Sequence, residues 1–515
     1  MESVNKEPDD MDEQETTALN QSIKPKPIDQ HNINILTNNN SINRNLSWKD
    51  AIKQSAASVI AYSLVIQAGI NMAYSAVLLP QLFSEDTDLK ITMSESTWIA
   101  SIVTLALPPG ALAVGPLMDK FGRKKVCMLT SIPFMCSWIL QSQSTQVWHM
   151  YLARILAGIA AGLSTVSTVY VSEIAHPNFR PMLLSLNSVF VSFGILITCV
   201  FGALFDWRTM ALIYCGIAAF SFCALFFVPE SPHWLVTFKN DVSSAAKSLK
   251  WTYPKQAVFE AQYDIFIESR QQPKVIEAIQ GQDDFSLVLW LKKVNNYFKS
   301  YREPVIYKPL TILFILFCLQ QLSGCYVIIF YAVDLFRKIG GDFQKGIDAF
   351  VALVLFGSIR FVMSIIATIL SKKIGRRTLL MTSGVGMSLT SLAAGLYIHL
   401  MANRTDGGDN IALICVLGYV CFSAIGFLMI PWTLVGELLP VRVRGILSGV
   451  LVAIAYVFMF GIVKVFPYIL GWLRVQMIFF GMSVLNLIAV CFIFFFVPET
   501  FGKTFAEIEK YFKKT

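Results

Sequence analysis

The chain has 515 residues, 55% of them apolar and only 15% charged, with a formal net charge of +8. Soluble domains carry about 25% charged residues, so this composition, with a mean hydropathy of +0.57, excludes a water-soluble fold and calls for lipid. The positive balance does not point to nucleic acid, because the basic residues gather in two short loops, Lys120, Arg123, Lys124 and Lys125, then Lys372, Lys373, Arg376 and Arg377.

Residues 1–50 open with acidic "MESVNKEPDDMDEQETT" and continue into Asn-rich "NINILTNNNSINRN". Such a stretch cannot bury enough apolar surface to fold alone, and a disordered tail is expected. It lacks a basic stretch abutting an apolar core, so the first apolar span is expected to act as an uncleaved signal-anchor. Runs of about 20 apolar residues are long enough to cross a bilayer as helices. They occur at 56–82, 96–118, 126–143, 147–170, 183–205, 209–229, 308–331, 347–371, 378–402, 411–436, 446–470 and 475–497. The predicted fold is an all-α membrane protein of about twelve transmembrane helices. Its expected divisions are a tail (1–50), a six-helix half (51–238), a cytoplasmic helical connector (239–307), a second half (308–500) and a short tail (501–515).

Basic short loops stay in the cytoplasm, which places both termini there and turns the loop after the ninth span outward. That loop carries Asn403-Arg404-Thr405, a glycosylation acceptor pattern. The ten cysteines all lie in or beside apolar spans, which is helix filling rather than a disulfide or metal framework. The five histidines sit in the tail or at span ends and no phosphate-binding loop is present, so neither an enzyme nor a cofactor is expected.

The sequence is written twice. "GPLMDKFGRKK" after the second span answers "SKKIGRR" after the eighth, "YVSEIAHPNFR" answers "VGELLPVRVRG", and "VPESP" answers "VPET". Aligned on Arg123/Arg376, Glu173/Glu437 and Glu230/Glu499, the offsets are 253, 264 and 269 residues. Three ordered pairs at a nearly constant offset indicate duplicated six-helix halves, the arrangement of a rocking transporter with its solute site between them. The repeated charges Asp119, Arg123, Arg154, Glu173, Arg180, Arg376, Glu437 and Arg444 are expected to form ion pairs between helix ends that hold an inner gate shut.

"DKFGRKK", "ARILAGIAAG", "PESPHWL", "QQLSG", "IPW", "GELLPVRVRG" and "VPETFGKTFAEIE" together resemble the sugar porter family of the major facilitator superfamily, over about residues 56–510. Within it the chain is most similar to the insect facilitated trehalose transporters. The resemblance implies a plasma-membrane facilitator of a sugar or polyol such as trehalose or a hexose. It further implies that Gln320 and Gln321 hydrogen-bond sugar hydroxyls and that Trp432 stacks on the ring. Amides supply donors and acceptors together, and an indole offers a flat apolar face. The chain departs from the family at Ser188, Tyr326, Arg360 and Ala455-Tyr456, where members carry amides or Asn-Trp. It departs again at Leu428-Met429, Lys372 and His233. Proton-driven members place an aspartate in the first span; here Gln67 and Asn71 stand there without an acid, which implies uniport.

Arg360 lies near the middle of its span, where an arginine costs roughly 2.5–3.5 kcal/mol on insertion scales. It must face water, a partner or a ligand. Three roles are open: donating to sugar hydroxyls, selecting a carboxylate or phosphate, or stacking on Tyr326 or Tyr456 to plug the site. Hydroxyl binding leads, since Gln320, Gln321 and Trp432 describe a neutral polyhydroxy solute. An organic-anion facilitator and a non-transporting sugar sensor are the alternatives.

Overall fold

The computed structural model describes residues 48–85, 87–176, 179–253, 259–260, 263, 303–339, 349–401, 411–503 and 505–514. The expected N-terminal tail up to residue 47, most of the connector, Asn403 and the side chain of Arg444 lie outside the described residues. In the first half the helices are α1 (Trp48–Leu82), α2 (Met93–Leu105), α3 (Leu107–Phe121), α4 (Arg123–Ser142), α5 (Val147–Leu163), α6 (Val166–Ile174), α7 (Arg180–Leu204) and α8 (Trp207–Ala224). Short α9 (Pro232–Thr237) and α10 (Val242–Thr252) follow. The second half comprises α11 (Pro304–Leu322), α12 (Cys325–Phe330), α13 (Ala332–Ile339), α14 (Ala349–Leu370), α15 (Arg376–Met401), α16 (Ile411–Ile425), α17 (Ile430–Leu438), α18 (Val441–Trp472) and α19 (Val475–Phe496). A final α20 (Phe505–Lys514) closes the chain.

Among the described residues, eleven segments are long and apolar enough to cross a membrane. The remaining expected span, 126–143, is nevertheless a helix of 20 residues. Its buried Thr130, Ser131, Ser137 and Gln141 make it less apolar, and it turns them toward protein rather than lipid. Large apolar side chains such as Phe220, Leu400 and Phe495 are 70–73% exposed. In water such a belt would aggregate; in a bilayer it is the lipid-facing surface.

Two spans break for identifiable reasons. After α11 the chain passes through Gly324 at φ +94, a conformation that costs a residue with a Cβ. The freed Gln320 carbonyl accepts from Ser323 Oγ at 2.6 Å, and the Ser323 carbonyl accepts from Tyr419 Oη at 2.7 Å. Between α16 and α17 the break precedes Pro431, which stands in the first turn of α17 and cannot donate a backbone bond. This kink persists although Leu428-Met429 replaces the family's Gly-Pro, and it frees the Phe427 carbonyl for Gln320 Nε2.

Helix packing in lipid relies on close approach rather than on a hydrophobic drive. Within the first half α1 packs on α7 and α8, and α4 on α5 and α8; within the second, α15 packs on α16 and α19. A Cβ on Gly69 would lie 2.1 Å from the Val191 carbonyl oxygen, and one on Gly194 2.2 Å from that of Ile66. The halves meet along α7 against α14, along α2–α3 against α18, and where α12–α13 lean on α1.

Candidate solute pathway

The charged residues expected at a gate form two matching clusters at the basic-loop end. In the first, Glu173 Oε1 accepts from Arg123 Nε at 3.1 Å and from Nη2 at 2.9 Å, its other oxygen accepts from Ser231 Oγ, and Asp119 Oδ1 lies 3.4 Å from Arg123 Nη1. In the second, Glu437 Oε1 accepts from Arg376 Nε at 3.3 Å and Nη2 at 3.2 Å, and Oε2 from Thr500 Oγ1 at 2.5 Å. The repeat extends to the helix starts: Glu230 accepts from the backbone N–H groups of Arg123 and Lys124, and Glu499 from those of Arg376 and Arg377. A carboxylate there satisfies orphan donors and complements the helix dipole.

Both clusters lie inside their own half. Among the described residues they order helix ends within a half, and no ion pair joins the two halves. Arg180 stands apart, donating from Nη2 to the Ala175 carbonyl at 3.3 Å, with no ion pair to Glu173 or Glu437. His176 and His233 are packed nearby. Burial, with Arg180 close to both, holds each imidazole below its ordinary pKa, and Glu173 only partly offsets this for His233.

Arg154 is not part of this network. It is fully buried further along α5, donating from Nη2 to Ser75 Oγ at 2.6 Å and from Nη1 to the Asn71 carbonyl at 3.3 Å. Its guanidinium lies 5.1 Å from the centre of the Tyr74 ring. Near the start of its span, Arg154 is at the wrong end of the helix to reach Glu173.

A cavity of about 120 Å³ opens between the halves. Asn71 of α1, Thr104 of α2, Ser164, Thr165 and Thr168 at the α5–α6 junction, and Asn187 of α7 supply its polar wall. Phe330 of α12 and Tyr456 of α18 close it from the second half. Asn71 donates from Nδ2 to the Gln67 carbonyl at 2.9 Å, while its buried Oδ1 has no partner among the described residues. Ser188 does not line the cavity. Its neighbour Asn187 does.

The remaining expected site residues stand behind Tyr456. Trp432 Nε1 donates to Tyr326 Oη at 3.0 Å, and the Trp432 ring lies 5.3 Å from Tyr456 and 4.9 Å from Phe317. Gln320 donates from Nε2 to the Phe427 carbonyl while its Oε1 has no partner among the described residues, and buried Gln321 has neither amide atom partnered among them. Adjacent helical residues point differently, and the two amides have different surroundings. Arg360 is 5% exposed, and its electrostatic neighbours are Cys199, Cys325 and Tyr326.

Two pseudo-symmetric six-helix halves around a polar cleft define a membrane carrier of the major facilitator type. A family model described as "Sugar (and other) transporter" matches residues 40–512, and the chain belongs to that family. It is 30% identical over 466 residues to the facilitated trehalose transporter Tret1 of Bombyx mori, covering 90% of this chain and 86% of that protein. Tret1 of Culex quinquefasciatus is 30% identical over 463 residues, covering 88% and 84%. Tret1 of Drosophila virilis is 31% identical, but the chain spans only 48% of its length. Among solved structures, the partially occluded inward-open xylose transporter XylE from E. coli aligns with a TM-score of 0.66 at 18% identity, covering 86% of this chain and 99% of that one. The proton:xylose symporter XylE bound to 6-bromo-6-deoxy-D-glucose gives 0.65 at 21% identity, covering 90% and 100%. At these identities the structural likeness bears on the fold alone.

Proposed function

We propose that the chain carries a sugar across a membrane by facilitated diffusion, its two halves rocking about the central cavity. The observation that carries this reading is the cavity itself: hydroxyl and amide side chains from four segments of one half, closed by aromatic side chains of the other. Amides and hydroxyls match the mixed donor–acceptor surface of a sugar, and aromatic faces match its C–H face. Asn71, Asn187, Gln321 and Trp432 are the proposed contacts; Gln320 and Tyr326 position them. The cavity is smaller than the ~300 Å³ usual for ligand pockets, so the halves must part before a sugar enters.

Uniport is read from this chain's own residues, since one structural neighbour is a proton symporter. Asn71 stands beside buried Arg154, and none of the residues lining the cavity is acidic. Without a titratable carboxylate among the described residues lining the cavity, a proton gradient has no group there to act on. The basic loops further support cytoplasmic termini.

The test is uptake of labelled glucose and trehalose by proteoliposomes. Saturable uptake unaffected by an imposed pH gradient is expected. Accumulation that scales with the gradient would remove the uniport reading, and no uptake of either sugar would remove these two substrates.

A further inference from the structure

We propose that Arg360 recognises a carboxylate on the transported solute, so that the substrate class is a sugar acid, a hexuronate being the simplest example. This rests on the sugar-site reading above and narrows it.

Arg360 sits mid-way along α14, 5% exposed, among the neutral groups of Cys199, Cys325 and Tyr326. Its guanidinium makes no hydrogen bond or ion pair with any described residue, and Nε is fully enclosed without a partner. The same protein shows how it satisfies a buried arginine when the role is structural. Arg154 also lacks a carboxylate and its Nε is likewise without a partner among the described residues, yet its Nη groups are bonded to Ser75 and the Asn71 carbonyl and it rests over Tyr74. Arg123 and Arg376 each meet a glutamate. Arg360 has none of these provisions.

A guanidinium held in a low-dielectric core without compensation is expensive, and removing one member of a buried charge pair is known to be strongly destabilising. Sugar hydroxyls would satisfy its N–H donors but leave its charge unbalanced. A carboxylate does both, and its two oxygens match the planar fork. The position fits a ligand. Tyr326, beside Arg360, is held by Trp432, which packs on the cavity-lining Tyr456. Gln321, with both amide atoms unused, can take the ring hydroxyls of the same solute. Parting of the halves would open this layer to the cavity.

The test uses the full chain in proteoliposomes, with labelled glucuronate, glucose and glucose 6-phosphate, and the variants Arg360→Gln and Arg360→Lys. The expected result is that wild type takes up glucuronate in preference to glucose. Arg360→Gln should lose at least about thirtyfold in glucuronate uptake, as for other truncated buried charge pairs, while Arg360→Lys keeps part of it. Should Arg360→Gln fail to purify as a folded protein, competition between glucuronate and glucose on wild type decides alone. Uptake of glucose that glucuronate does not compete for overturns the proposal and leaves the sugar reading intact. So does glucuronate uptake by Arg360→Gln within about twofold of wild type. Transport of glucose 6-phosphate in place of glucuronate overturns the carboxylate assignment, as does no uptake of any of the three; uptake of trehalose then keeps the sugar reading, and its absence as well overturns that reading too.

Discussion

Glu499→Gln isolates the device that ties the end of the second half together. One carboxylate accepts four backbone N–H groups: Arg376, Thr500 and Phe501 on Oε1 at 2.8, 3.0 and 3.0 Å, and Arg377 on Oε2 at 3.2 Å. The amide keeps one acceptor and turns the other position into a donor facing a donor. Three bonds then persist without charge assistance and the fourth is lost. With charged hydrogen bonds worth roughly 1.5–3 kcal/mol, the lost fourth bond alone costs about 1.5–3 kcal/mol, and the weakening of the other three adds to it. Removal of the charge at the start of α15 adds up to about 1 kcal/mol. Glu437→Gln serves as the comparison. Its ion pair with Arg376 is 22–28% exposed, and water screens it to about 1 kcal/mol. Thermal loss of the monodisperse species in detergent, followed by size-exclusion chromatography, should rank wild type above Glu437→Gln and Glu437→Gln above Glu499→Gln. A Glu499→Gln protein as stable as wild type would refute the capping role, and a larger loss for Glu437→Gln would invert the hierarchy argued here.

Other outcomes follow from the packing and the site. Gly69→Ala places a Cβ 2.1 Å from the Val191 carbonyl oxygen, forcing α1 and α7 apart. A loss of about 1–3 kcal/mol is expected, read as a lower melting temperature, while alanine at Gly216, which has open space around it, should be silent. Asn71→Asp sets a carboxyl beside Arg154 in the cavity wall. Sugar uptake should become dependent on an imposed pH gradient, and uptake indifferent to the gradient would show that this position does not decide coupling. His176 and His233 have folded pKa values below about 6.5, so the unfolded chain takes up their protons first. Stability should be unchanged above that pH, fall as pH drops through the window below it, and level off once the folded imidazoles protonate. Melting temperatures between pH 7.5 and 5 check this, and a His176→Gln/His233→Gln protein should lose most of the slope.

The duplicated halves were legible because charge and hydropathy repeat over distances that chance does not sustain, and Arg123/Glu173 and Arg376/Glu437 form matching pairs in the structure. Where those pairs act was not legible, since sequence does not say whether a bridge joins two halves or two helices of one. Arg154 could have been placed from topology: it lies near the start of its span, away from Glu173. Asn187 was missed because sequence alone does not say which face of α7 meets the cavity, and adjacent helical residues point in different directions. The separate fates of Gln320 and Gln321 depend on the Phe427 carbonyl freed by the kink before α17, a contact between residues more than 100 positions apart. Arg360 was recognisable as costly from its sequence position alone; that it has no partner among the described residues needed the folded neighbours.

The central claim is that this chain moves a sugar by alternating access without a driving ion, and counterflow tests it most directly. Proteoliposomes loaded with excess unlabelled glucose or glucuronate are diluted into a trace of the same labelled solute, with and without a protonophore. A transient accumulation of label above equilibrium, unchanged by the protonophore, is predicted for at least one of the two. The absence of any overshoot with either solute, or an overshoot that the protonophore abolishes, would contradict it.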